Sequence, residues 1–138
     1  MKTFKPEVIY IHSTAANIDE FPVVGSSSKH VERLINKVFN RYKSIWISLT
    51  KKFNCIIIQN NFEFIPFSSL GNLEGTKDYG KINFINKLNL KFSKQSNSMK
   101  NLVINDINFL SAKIGIDRWS DDSLYFNYKY ALSHESTP

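Results

Sequence analysis

The chain has 138 residues, 42% of them apolar, a net charge of +6 and one cysteine, Cys55. Those figures describe one domain able to bury a core, and they exclude an intramolecular disulfide and a zinc site of clustered Cys and His. The charge does not describe a nucleic-acid module either: only Arg33, Arg41 and Arg118 of the 18 basic residues are arginine, and the lysines are scattered, whereas base readers favour arginine forks.

The opening residues MKTFKPEVIY place Lys5, Pro6 and Glu7 where a signal peptide needs an apolar run. No stretch approaches the roughly 20 apolar residues of a membrane span. A soluble cytoplasmic protein without a membrane partner is expected, and Cys55, inside an apolar run, reads as a buried free thiol.

In chain order, Glu7 to Ile11 reads as a short buried strand. A loop follows, marked by Pro22, Gly25 and serines. Val31, Leu34, Ile35, Val38, Phe39, Tyr42, Ile45, Trp46 and Leu49 form a wide helical stripe, which predicts a helix over 29–51. The run FNCIII, 53–58, is the second strand. The loop from Gln59 to Asp78 contains Pro66, Gly71 and Gly75, and Gly71 is expected to turn at positive φ. Ile82, Ile85, Leu88 and Phe92 mark a second helix, over 80–94, broken by KQSNSMKN. Leu102 to Ile104 form a third strand ending at Asn105 and Asp106. A short helix from Ile107 stops at Gly115. IDRWSDD reads as a turn in which Arg118 clamps carboxylates over Trp119. The last helix spans 122–133, capped by Asp121 or Ser120, and HESTP reads as a frayed end.

Apolar strands alternating with amphipathic helices predict an α/β fold: three layers, α/β/α, around a short parallel sheet buried on both faces. In such a sheet every strand ends on one edge, where ligands bind. The first strand delivers His12, Ser13, Thr14 and Asn17 there, the second Gln59, Asn60, Asn61 and Glu63, the third Asn105, Asp106 and Asn108. His12, Ser13, Asn17, Asn60, Asn61, Glu63, Asn105 and Asp106 are therefore the candidate substrate-binding residues. Polar residues also end strands merely to satisfy loose backbone groups, and both readings stand.

Dedicated chemistry is hard to find. His12, His30 and His134 are the only histidines, and no G-x-S-x-G elbow, phosphate loop or dinucleotide fingerprint is present. In VINDIN, Asn108 stands where a second aspartate would be needed, so Asp106 reads as a loop acid. No catalytic residue, metal or cofactor is expected.

Three stretches carry a family resemblance: FKPEVIYIHSTAANIDEFP, IIIQNNFEFIPFSSLGNLEG and INDINFLSAKIGIDRWSDDSLYFNYKYALS. They resemble the N-terminal region of FkbH-like proteins, members of the haloacid dehalogenase (HAD) superfamily from polyketide and surface-glycan pathways. The resemblance implies an SGNH (GDSL-type) hydrolase-like, flavodoxin-like fold placed before a HAD-type catalytic domain. That second domain loads a glyceryl group from bisphosphoglycerate onto an acyl carrier protein. The chain stops before any paired-aspartate motif. It is therefore expected to be a single accessory domain over 1–138, non-catalytic, with a HAD-type domain and an acyl carrier protein as partners.

The serine block of SGNH enzymes is absent, since PEVIYI resembles their third strand. Asn17 stands where such folds carry an oxyanion-hole amide, but no D-x-x-H block is recognisable, and His134 lies in a different context. The alternative is a degenerate SGNH-type esterase completed by another chain or segment. Missing strands would leave Glu7 to Ile11 as a bare edge, so a homodimer is expected, burying that edge or the Phe39–Tyr42–Trp46 face.

Overall fold

Three apolar runs pair side by side and organise everything else. The computed structural model describes residues 5–130 and 132–136. Strands β1 (Val8–Ile11), β2 (Ile56–Asn60) and β3 (Leu102–Asn105) form a parallel sheet in the order β1-β2-β3. Ile11 stands opposite Gln59, and Asn60 opposite Asn105, so the carboxyl ends are level across the sheet.

Helix α1 (Ser28–Lys52) joins β1 to β2, and α2 (Lys81–Ser98) joins β2 to β3. Ser27 caps α1, its side chain accepting from His30 N at 3.3 Å. Lys51 and Lys52 occupy the last turn of α1, where the helix dipole favours cations. The expected stripe does the packing: Val31, Leu34, Ile35, Val38, Tyr42 and Trp46 are buried against Phe84, Ile85, Leu88 and Phe92 of α2 and against Ile57 and Leu102 of the sheet. Phe92 is the aromatic hub, with Trp46 edge-on at 4.9 Å and Phe62 at 5.3 Å. The Phe39–Tyr42–Trp46 face is thus covered within one chain, with Trp46 fully buried, and cannot be a free dimer surface.

The short parallel sheet of an α/β domain is present as expected, with helices against one of its faces. Burial alternates along the strands: Ile57 and Leu102 are buried, while Val8, Tyr10, Ile56 and Val103 are 49 to 54% exposed. Strand order equals chain order, so both crossovers turn the same way and lay α1 and α2 on the same side. The segments after β3 do not cover the second face among the described residues. They gather at the carboxyl edge.

These segments are α3 (Ile107–Ile114), α4 (Ile116–Trp119) and α5 (Asp122–Tyr128), then a 3₁₀ turn at His134–Ser136. Gly115 stops α3 at φ +113 as expected. Three sequence expectations are corrected here. IDRW is a helical turn, not an irregular one, with Trp119 buried. Arg118 pairs with Glu135, Nε to Oε2 at 2.7 Å, so its partner comes from the tail and not from the neighbouring aspartates. That ion pair, and the Ser133 and Ser136 hydroxyls donating to Arg118 O, hold His134–Ser136 down, so this part of the tail is a packed turn. Asp121 caps α5, accepting from Ser123 N and Leu124 N, and the helix ends at Tyr128 with Lys129 left-handed at φ +59. Ala131, Thr137 and Pro138, parts of the expected last helix and tail, lie outside the described residues, as do residues 1–4.

Two boundaries also move. β2 begins at Ile56 and runs through Asn60, so Gln59 and Asn60 belong to the strand. α2 continues through KQSNS to Ser98. Gly71 sits at φ +53, the left-handed region expected of it.

Candidate functional site

The level strand ends bring all eight candidate residues to one edge, where they divide by the direction each side chain takes. On the helix-covered side, Gln59 is fully buried. Its Oε1 accepts from Trp46 Nε1 at 3.0 Å, and its Nε2 donates to Ser13 Oγ at 2.7 Å. Ser13 Oγ in turn donates to Asn60 O at 3.1 Å. A buried amide and hydroxyl are tolerated here because each finds a partner.

On the open side, Asn60 Oδ1 accepts from Tyr10 Oη at 2.7 Å and from Asn105 Nδ2 at 2.8 Å. Asn60 Nδ2 lies 3.2 Å from His12 Nδ1. Tyr10, His12, Asn60 and Asn105 therefore form one polar row across the sheet.

The remaining amides tie the loop after β2 to its neighbours. Asn61 Nδ2 donates to Asp106 Oδ1 at 2.7 Å, and Asn61 Oδ1 accepts from Asn108 N at 3.1 Å. Asp106 also caps α3 through Phe109 N. Asn89 of α2 holds both backbone groups of Phe62, and Asn108 Oδ1 accepts from Phe64 N at 3.2 Å. Asn17 accepts from Thr14 N at 2.9 Å within its own turn and is exposed. Of the amides at 59–61, Gln59 and Asn60 still belong to β2, while Asn61, just past it, uses its side chain to bond Asp106 and the backbone of Asn108 where the ladder ends.

Glu63 differs. It is 7% exposed and lines a cavity of about 420 Å³ whose walls include Ala15, Ala16, Phe21, Phe64, Pro66 and Phe126. Its Oε2 accepts from Ala15 N at 3.1 Å. Burial pushes its pKa up to about 7, against the opposing pull of its own backbone N–H and that of Ala15. Glu63 is thus a carboxyl group that can hold a proton near neutrality beside an apolar space. His134 is exposed and far along the chain from this wall, beside the Arg118–Glu135 pair. Among the described residues no three metal-ligating side chains converge.

Sequence reasoning missed the walls of this cavity. Phe64 to Phe67 come from the loop after β2, Lys81 from the start of α2, and Tyr125 and Phe126 from α5. Only the aromatic density of LYFNY hinted at them. It also missed Glu74, which is buried at 2% exposure and accepts from Ser69 N, Leu70 N and Lys81 N. The available signal was a helix start at Gly80, a residue with no capping side chain, preceded by an acid in LGNLEG.

The chain was compared with known proteins. A family model described as the N-terminal domain of FkbH matches residues 1–138. No curated protein matches the chain. Among solved structures, it is similar to the N-terminal part of the protein BF1531 from Bacteroides fragilis, which contains a phosphatase domain and was crystallised in complex with Mg. That similarity has a TM-score of 0.70 at 20% identity and covers 93% of this chain and 33% of that one, so it speaks for the fold. The chain spans about a third of the length of that structure. The level carboxyl edge of a short parallel sheet and the full-length family match lead to one conclusion: this chain belongs to the FkbH family, as its N-terminal domain.

Proposed function

We propose that this is a non-catalytic, SGNH-like accessory domain that works beside a HAD-type phosphatase-like catalytic domain. In this reading it assists transfer of a glyceryl or related acyl group to an acyl carrier protein. The observation that carries the reading is the state of the strand-end groups. Ser13 is engaged by Gln59 and Asn60, and His12 faces Asn60, so the serine and histidine nearest the edge are each bound by amides and not by each other. A hydrolase needs a nucleophile activated by a base. That is the difficulty for the alternative, a degenerate esterase, which keeps only Asn17 as a possible oxyanion donor. The buried free thiol of Cys55 agrees with a reducing, cytoplasmic setting.

The open edge of β1 and the half-exposed face of Val8, Tyr10, Ile56 and Val103 support self-association as a homodimer. Light scattering checks this: a monodisperse monomer at high concentration removes the dimer from the proposal.

The main reading is tested by glyceryl loading of a carrier protein by an FkbH-type catalytic domain, with and without this chain. Faster loading in its presence is expected, with no p-nitrophenyl acetate hydrolysis by the chain alone. Unchanged loading, or hydrolysis that Asn17→Ala abolishes, would overturn it in favour of the esterase.

A further inference from the structure

We propose that the cavity beside Glu63 binds a small neutral carbonyl compound with an apolar chain (an ester, thioester or amide), the Glu63 carboxylic acid donating a hydrogen bond to the carbonyl oxygen. The inference stands apart from the accessory role, because it concerns what this chain binds by itself.

The geometry comes first. A volume of about 420 Å³ lies within the roughly 300–1,000 Å³ range of small-molecule pockets, which are mostly apolar with a few placed polar groups. The walls fit that description. Ala15 and Ala16 leave the space that larger side chains would fill, and Phe21, Phe64 and Phe126 supply apolar surface. Thr14 and Glu63 are the buried polar residues among them, and Glu63 is the ionisable one.

Protonation decides what it can hold. A neutral carboxyl has one O–H to donate, and a ligand carbonyl has lone pairs to accept it. An ionised Glu63 offers the same carbonyl only acceptors. The charged and titratable neighbours on the other walls are Lys81 of α2 and Asp121 and Tyr125 of α5. Lys81 Nζ lies over the Phe21 ring, 5.9 Å from its centroid. With Glu63 protonated, the carboxylate of Asp121 offsets the one lysine on the walls, so the lining carries no net charge and suits a neutral ligand.

The experiment uses hexanoyl-N-acetylcysteamine, a neutral acyl thioester, titrated into the 138-residue chain by calorimetry at pH 6 and pH 8.5, with hexanoate as the anionic control. Binding is expected at pH 6 and about tenfold weaker at pH 8.5, as Glu63 loses its proton. Glu63→Gln keeps an N–H donor and should bind equally at both pH values. Ala16→Phe should fill the cavity and abolish binding. Phe126→Ala, which removes an exposed wall, should weaken binding about fivefold without disturbing the circular dichroism spectrum. Four outcomes overturn the proposal: no binding, equal wild-type affinity at both pH values, hexanoate bound more tightly than the thioester, or wild-type affinity in Phe126→Ala. Persistent pH dependence in Glu63→Gln overturns it too, because Lys81, Asp121 or Tyr125 would then be the titrating group.

Discussion

Glu63 and Glu74 are both buried carboxyl groups in the long connection between β2 and α2, and they do opposite things. Glu74 accepts three backbone N–H groups, from Ser69, Leu70 and Lys81. Two close a loop, and the third is an orphan donor at the start of α2, which has no cap of its own. Glu63 receives only its own N–H and that of Ala15 and faces a cavity. A buried acid surrounded by donors is a brace. A buried acid with few donors and open space beside it is a place where something can bind.

The sharpest way to break the comparison is to remove the brace. Glu74→Ala leaves three donors without their acceptor and should cost about 4 kcal/mol in urea unfolding, while Glu74→Gln, which keeps one oxygen, should cost about half as much. A loss below about 1 kcal/mol for the alanine variant would mean that the two acids are equivalent after all.

The next effect is in pH. The folded-state pKa of Glu63, about 7, lies above its ordinary value of 4.5 because burial disfavours the charged form. The protonated form is thus favoured by folding, and the associated stability is fully present below pH 4.5, is lost as pH rises through 7, and is then constant. The total amounts to roughly 3 kcal/mol. Glu63→Gln should lack this decline, so stability curves of wild type and variant should diverge between these pH values. Parallel curves would place Glu63 among the braces.

The smallest of the three effects addresses the Glu74 backbone instead of its carboxyl. Gly80 adopts an ordinary φ of −69°, but a Cβ there would lie 2.0 Å from Glu74 O. Gly80→Ala must push the two segments apart and should cost about 2 kcal/mol in urea unfolding. An unchanged midpoint would show that the brace is slack.

How much of this was legible varies by element. The α1 stripe was readable because nine apolar residues at helical spacing admit one packing face, and six of them are fully buried. The strand ends were readable because parallel strands share a carboxyl edge whatever their side chains. The role of each polar residue was not. Asn60 and Asn61 are adjacent and identical, yet one joins a row on the open face and the other ties down Asp106.

The sequence by itself therefore determined the two long helices, the apolar strands, the edge on which polar residues collect, and the family resemblance. The elements and the edge follow from periodicity and composition, which act over a few neighbouring residues, whereas the resemblance rests on the three quoted stretches. Only the tertiary structure decided that both long helices share one face of the sheet, that Arg118 reaches Glu135, and that Phe126 lines the same cavity as Glu63. Each of these joins segments distant in the chain, and burial and hydrogen-bond supply at such a junction depend on partners that local spacing does not reveal.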